Sequence, residues 1–517
     1  FKTSAGGLID ASQMTGDLLI DVSDAENKTI TGSSGKNTIK AGAGDDEITT
    51  GDALDIVTTG GGVDVVNTAG GNDTIIVAGN LTKDDTIDGG AGQDKLVTAE
   101  TTIDATDKAA AAGVTNVEIF ASNSTAAVAA DFEKLDKFDI VELSGAKTTG
   151  TATSNKAGAT AADITGVEDG DTLVINNVTR VGQIGDTDKD GGTALTLTPE
   201  LDGGDNTAAL IFKGNADLTG GAGVGDGNGA LAIDAGTFEN LVIEVLSTKK
   251  TGSADVVTLT GGAGGTGTGV AGNELKVSDN GKITLTSALD SDSEATVHSE
   301  VNLGTVEGKN VTIDGSALEA KLTVTTASGN TTITGGAGDD ALTGASGIDS
   351  ISGGDGKDVI DGKDGADFMT GGSGADTFKL TVGSDVSAIT DTVTDFEVAK
   401  GGDKLDLDST TIMTDKGSTS VSGAVTGATS LFATAKDGVI TLSGDDVSEV
   451  DTVAELIAIE KVMDGTSDDV VSAIEMNGDT YVLVDDDTVV DQVVKLVGVT
   501  GVTAVSATDA DNTIFIS

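Results

Sequence analysis

The chain has 517 residues and a formal net charge of −56, from 85 acidic and 29 basic side chains, which argues against nucleic acid as a partner. Glycine supplies 75 residues, proline 1, aromatic residues 2% and cysteine none, so disulfides and thiolate metal sites are excluded and a large core is not expected. No run of 18 apolar residues occurs, so no transmembrane segment is read.

The rest of the composition, rich in Thr, Val, Ile, Ala and Asp, predicts an all-β chain of short strands and tight turns. The opening FKTSAGGLID has neither an initiator Met nor the basic and apolar regions of a signal peptide, and is expected to follow an absent N-terminal part. Residues 1–31 read as lead-in strands, with Leu18–Val22 the best of them. Residues 32–97 carry a nine-residue period. Apolar side chains fall at Ile39, Ile48, Val57, Val66 and Ile75, and a polar phase at Asn37, Asp46, Asp55, Asp64 and Asp73. Gly35, Gly44, Gly62 and Gly71 keep time with them, and Ala53 breaks the series once. After a short insertion the phase resumes with Asp85 and Ile87, then Asp94 and Leu96.

Residues 98–330 hold strand-like runs, NVEIFAS (116–122), DIVELSG (139–145), DTLVINN (171–177), NLVIEV (240–245) and NVTIDGS (310–316), separated by Gly, Asp, Asn and Thr clusters. They predict an irregular β-solenoid or a stacked β-sandwich, in one or two domains. The stretch AADFEKLDKF (129–138) is expected to form a short helix. GVTNVEIF (113–120) and GTFENLVI (236–243) are alike, each a turn, an Asn and a strand.

In residues 331–380 the nine-residue period is strict. From Gly335 the chain reads GGAGDDALT, GASGIDSIS, GGDGKDVID, GKDGADFMT, GGSGADTFK. Aspartate recurs at Asp340, Asp349, Asp358, Asp367 and Asp376, and a large apolar residue two places later at Leu342, Ile351, Ile360, Met369 and Phe378. Each unit reads as a turn and a short strand, two units to a coil, with apolar residues stacking two repeats apart. Glycine permits positive φ and close backbone approach. Carboxylates and turn carbonyls are the hard oxygens that calcium takes, six to eight per ion.

The expected metal ligands are therefore Asp46, Asp55, Asp64, Asp73, Asp85, Asp94, Asp340, Asp349, Asp358, Asp367 and Asp376, with turn carbonyls near Gly42, Gly44, Gly335, Gly338, Gly353, Gly356, Gly371 and Gly374. The competing reading is a glycine-rich solenoid whose aspartates only make turns. Asp403 and Asp406, in GGDKLDLD, are further candidates, with Asp395 beside them, as are Asp485 to Asp487; ordinary solvated turns are the alternative. Residues 381–517 read as a β-rich C-terminal domain, with strands in DTYVLVDDD (479–487) and QVVKLVGV (492–499) and a helix at VAELIAIEKVM (453–463).

Catalytic chemistry is poorly supplied. GGAGGTG (261–267) contains G-x-G-x-x-G, but no helix pattern follows, and a degraded nonapeptide with Thr266 in the aspartate place explains it better; GGAGVGDG (220–227) has the same status. His298 is the only histidine, which excludes an H-E-x-x-H zinc site within the chain, and no G-x-S-x-G occurs. No catalytic residue is nominated, and a non-enzymatic protein is expected.

The pattern G-G-x-G-x-D-x-U-x resembles the calcium-binding nonapeptide of RTX proteins, which bacteria export by type I secretion. That resemblance implies parallel β-rolls at 32–97 and 331–380, and multiple Ca2+ ions. The ending, with ADTFKL, VTDFEVAKGGDKLDL, GDTYVLVDDD and VVKLVGV, looks like the C-terminal flank of such substrates, which carries an uncleaved secretion signal. Gly- and Thr-rich β-repeats between rolls, without cysteine, resemble surface-layer (S-layer) proteins of the RTX kind. The implied role is a structural protein of a Gram-negative cell surface. It would pair with itself in a lattice, meet the type I secretion apparatus, and be held to lipopolysaccharide through the absent N-terminal part. The alternatives are an RTX adhesin, or the calcium-folded secretion module of a toxin or enzyme whose active domain is missing.

Overall fold

In a computed structural model of the chain, the described residues are 7–22, 25–77, 81–98, 109–122, 274–289, 300–380, 390–398, 402–407, 411–413, 415–464, 470–485, 490–507 and 513–517, together with strands and single positions between 102 and 258. The expected all-β fold is present: short strands dominate and helix is scarce. Internal contacts divide the chain into two units, Phe1–Val277 with Ala288–Ser299, and Ser278–Ser287 with Glu300–Ser517. No helix among the described residues is long and apolar enough to cross a membrane.

In the first unit, each nonapeptide forms a strand of about three residues whose middle side chain is buried and whose flanks face outward. Alternate strands join alternate parallel ladders. One ladder stacks Ile30, Ile48, Val66, Ile87 and Val114. The other stacks Ile20, Ile39, Val57, Ile75, Leu96 and Phe120. Two nonapeptides thus make one coil, and the core is one apolar side chain thick on each face. The ladders start in the lead-in strands, where Leu8–Asp10 pairs with Thr29–Thr31 and Leu18–Asp21 with Asn37–Lys40.

The parallel register also continues beyond the repeats. Lys95–Thr98, Ile119–Ser122, Ile140–Ser144, Thr172–Asn176, Thr207–Lys213 and Asn240–Ser247 pair in order, every pair parallel. A second parallel series runs through Thr102–Ile103, Ala129–Asp131, Ala162–Val167, Leu195–Pro199, Ile233–Ala235 and Glu274–Val277. Of the two architectures expected for this region, parallel ladders are those of a solenoid, because a sandwich of hairpins pairs antiparallel. The helix expected over 129–138 is not formed at its start: Ala129–Asp131 is a strand held between two parallel neighbours. Pairing on both sides overrides the local helix propensity of Ala, Glu and Leu. The segments around His298, GGAGGTG and GGAGVGDG lie outside the described residues.

The second unit repeats the plan. One ladder stacks Ile313, Ile333, Ile351, Met369 and Val393, and the other Val324, Leu342, Ile360, Phe378 and Leu405, all at most 1% exposed. At its far end the strand Val490–Leu496 pairs in parallel with Thr390–Val393, and Thr513–Ile516 pairs antiparallel with Lys404–Leu407. Both strands belong to a C-terminal segment of antiparallel hairpins around a separate core of Leu431, Leu456, Ile459, Ile474, Leu483 and Val493. Covering an open ladder in this way removes an edge that would otherwise invite another strand. The helix expected in this segment runs Val453–Asp464. Thr452 and Glu455 form its capping box, with the Glu455 N–H donating to Thr452 Oγ1 at 3.3 Å and the Thr452 N–H to Glu455 Oε2 at 3.2 Å.

Candidate metal centre

The aspartate of each nonapeptide closes the turn and precedes the strand, so coiling at 18 residues per turn places aspartates in columns. Within a column one carboxylate oxygen, Oδ1, accepts the backbone N–H of the residue one coil earlier. In the second unit Asp340, Asp358 and Asp376 accept from Leu322, Asp340 and Asp358 at 2.6, 2.8 and 2.8 Å. Asp349 and Asp367 accept from Thr331 and Asp349 at 2.6 and 2.8 Å. In the first unit Asp46 and Asp64 accept from Lys28 and Asp46, and Asp55 and Asp73 from Asn37 and Asp55, at 2.6 to 2.9 Å. Asp85 and Asp94 keep the pattern across the insertion, accepting from Asp64 at 2.7 Å and Asp73 at 2.8 Å.

The second oxygen distinguishes a cation site from a turn. Oδ2 of Asp55, Asp73, Asp94, Asp358, Asp367 and Asp376 is buried and has no hydrogen-bond partner in the structure. Leaving such a group unsatisfied is costly for a neutral polar atom and more so for a charged one. In the second unit these oxygens converge on the first glycine of each repeat. A Cβ on Gly353 would stand 2.2 Å from Asp358 Oδ2 and 2.5 Å from the Gly371 carbonyl. One on Gly335 would stand 2.1 Å from the Gly353 carbonyl and 2.3 Å from Asp340 Oδ2, an oxygen that also accepts the Gly336 N–H at 2.8 Å, as Asp349 Oδ2 accepts that of Ala345 at 2.8 Å. The glycines therefore hold open a small oxygen-lined cradle. The later turn glycines pack column upon column: a Cβ on Gly62, Gly356 or Gly374 would strike the carbonyl of Gly44, Gly338 or Gly356 at 2.4, 2.2 and 1.5 Å. The Gly42 carbonyl accepts the Gly61 N–H at 3.1 Å.

Burial, with neighbouring carboxylates adding to it, pushes several of the column aspartates up from the ordinary 3.8. Asp64, Asp73, Asp340 and Asp376 rise to about 6, Asp358 to about 7 and Asp367 to about 8. A carboxylate held ionised at neutral pH in such surroundings needs a positive partner. Buried, unpartnered, convergent hard oxygens with glycine-made space fit calcium. The column aspartates and the carbonyls of residues such as Gly353 and Gly371 would hold it, and the ion would supply the charge that offsets their burial.

At the column ends stand Asn37 and Asp403, which the sequence places in phase or among the candidates, and Lys28 and Asp391, which it does not. Lys28 occupies an aspartate place, buried, with its Nζ donating to the Glu26 carbonyl at 2.7 Å. Asn37 closes its own turn: its Nδ2 donates to the carbonyls of Ser33 and Gly35 at 3.0 and 2.8 Å and to Asp55 Oδ1 at 3.0 Å. At the far end of the second unit Asp391 and Asp403 extend the two columns, accepting from Asp367 at 3.1 Å and Asp376 at 2.9 Å. Their spacings of 24 and 27 residues hid the first of them from a nine-residue count. Asp395 accepts the N–H groups of Gly371 and Gly372 at 2.9 and 2.8 Å, whereas Asp406 lies on the strand Lys404–Leu407 and faces Lys379 Nζ at 3.6 Å. Asp485 is within the strand Asp479–Asp485; Asp486 and Asp487 lie outside the described residues.

The two arrays also differ at the first position of the repeat, where the first array has Ala41, Thr50, Thr59 and Thr68 in place of glycine. There the Thr50 hydroxyl donates to the Thr68 carbonyl at 3.3 Å, and the Thr68 hydroxyl to the Gly89 carbonyl at 2.8 Å. Hydroxyls thus tie some of the carbonyls that in the second array line a cradle.

Compared with known families, the chain matches the RTX calcium-binding nonapeptide repeat (4 copies) over residues 29–57, 48–75, 81–99, 323–351, 343–378 and 352–386, about a quarter of its length. The repeat aspartates from Asp46 to Asp94 and from Asp340 to Asp376 fall within those matches, whereas Lys28, Asp391 and Asp403 at the column ends lie outside them. The repeats are calcium-binding units, present in multiple copies. No protein with a curated description matches the chain.

Proposed function

We propose that this chain is the lattice-forming part of a calcium-dependent surface layer on a Gram-negative cell, exported by type I secretion and folded by calcium outside it. The observation that carries the reading is the set of buried aspartate oxygens that the protein itself leaves without partners. Where calcium is scarce, column carboxylates repel one another across a core one side chain thick, and the chain stays unfolded, as export requires. Where calcium is millimolar, metal binding supplies folding free energy. The reading is of a structural, non-catalytic protein whose partners are further copies of itself, the secretion apparatus and, through a preceding N-terminal part, lipopolysaccharide. What supports the lattice over an adhesin or a secretion module is the Gly- and Thr-rich β-solenoid between the two arrays.

Electron microscopy of the purified chain with and without millimolar calcium tests it. Ordered sheets that form only with calcium, and dissolve in chelator, are the expected result. Calcium-dependent folding to monomers that never form sheets would remove the lattice and leave the adhesin or secretion-module readings.

A further inference from the structure

The last aspartate of the first array, Asp94, is completely buried, and its Oδ2 has no hydrogen-bond partner. No nonapeptide follows it. The next coil is the turn GVTNVEIF, in which Lys95 and Leu96 stack on Ile119 and Phe120. That register sets Glu118 in the aspartate place, and the Asp94 N–H donates to Glu118 Oε2 at 2.8 Å, the bond that an aspartate Oδ1 makes in every earlier coil.

The cradle is rebuilt as well. Position one of this repeat is Gly89, in contrast to Thr50 and Thr68 lower in the same column. A Cβ on Gly89 would stand 2.1 Å from the Asn116 carbonyl and 2.7 Å from Asp94 Oδ2, the constellation found at Gly335 and Gly353. Asn116 adopts φ +51°, and its Nδ2 donates to Asp88 Oδ1 at 2.7 Å, which holds the turn in place. The Glu118 and Ile119 N–H groups both donate to the Asp94 carbonyl, at 3.2 and 3.0 Å.

We infer that the last calcium site of the first array is completed from beyond the repeats, with Asp94 on one side and the Asn116 carbonyl and Glu118 on the other as its protein ligands. The ion is a hard divalent cation, and it ties the roll to the solenoid that follows. A motif built on aspartate at nine-residue spacing finds Asp94 and passes over Glu118, because that carboxylate is a glutamate 24 residues on.

Calcium bound per full-length chain, counted by equilibrium dialysis and by native mass spectrometry, is the test. Glu118→Gln keeps an acceptor for the Asp94 N–H while removing the charge, and is expected to bind one ion fewer than the wild-type chain. Gly89→Ala places a methyl group where the ion would sit; it is expected to lose the same single ion, with no further loss when the two changes are combined. Wild-type stoichiometry in both variants overturns the inference while leaving the repeats intact. A wild-type chain that binds no calcium would instead remove the calcium reading of the repeats.

Discussion

Removing calcium and raising the pH should unfold the second array. Asp358 and Asp367, ordinarily at 3.8, are raised to about 7 and about 8 by burial and by neighbouring carboxylates. A carboxyl whose folded value lies above its unfolded one binds more protons when folded. Its contribution is therefore intact below the unfolded value and is lost as pH climbs through the folded one. At about 1.4 kcal/mol per pH unit the shifts correspond to at most roughly 4 to 6 kcal/mol per group, which solvent screening and sharing of charge among neighbouring carboxylates reduce to a few kcal/mol opposing the metal-free fold. That is a sizeable fraction of the stability of a domain, about 5–15 kcal/mol. Hydrogen exchange of the metal-free full chain, corrected for intrinsic rates, measures this directly. Protection across residues 335–378 should be greatest near pH 4, fall progressively as pH climbs to about 8, and persist to pH 8.5 with millimolar calcium. Protection that survives pH 8.5 without calcium would refute the argument, because the fold would then be tolerating those buried charges unaided.

Gly353→Ala fills the Asp358 cradle at 2.2 Å, and should cost about 2–4 kcal/mol in saturating calcium, with at least one bound ion lost; Gly417→Ala, in open space, should change thermal unfolding negligibly. Phe378→Ala empties a fully buried place in the ladder and should cost about 3–5 kcal/mol, read by denaturant unfolding in calcium. Asn37→Asp replaces an amide that satisfies its own turn with a carboxylate 3.0 Å from Asp55 Oδ1. It should weaken folding in chelator and raise the calcium count by one, and an unchanged count would show that the turn has no room for an ion.

A nine-residue period in glycine, aspartate and one apolar residue is sufficient to specify a two-faced coil. Any other register would expose Ile351, Met369 and their counterparts, and would break the run of Oδ1 bonds from coil to coil. That is why the strands, their stacking partners and most of the candidate ligands could be named from residues alone. Between 98 and 277 the coil lengthens and the period disappears; only parallel pairing distinguishes solenoid from sandwich, and only pairing turns Ala129–Asp131 from helix to strand. Lys28, Asn37, Glu118 and Asp391 end the columns with residue types or spacings outside the repeat. Each is decided by which backbone N–H it meets one coil away, a distance in space that insertions of variable length erase from the sequence. The repeat alone thus determines that there is a calcium-binding coil, and the tertiary register decides where each column begins and ends.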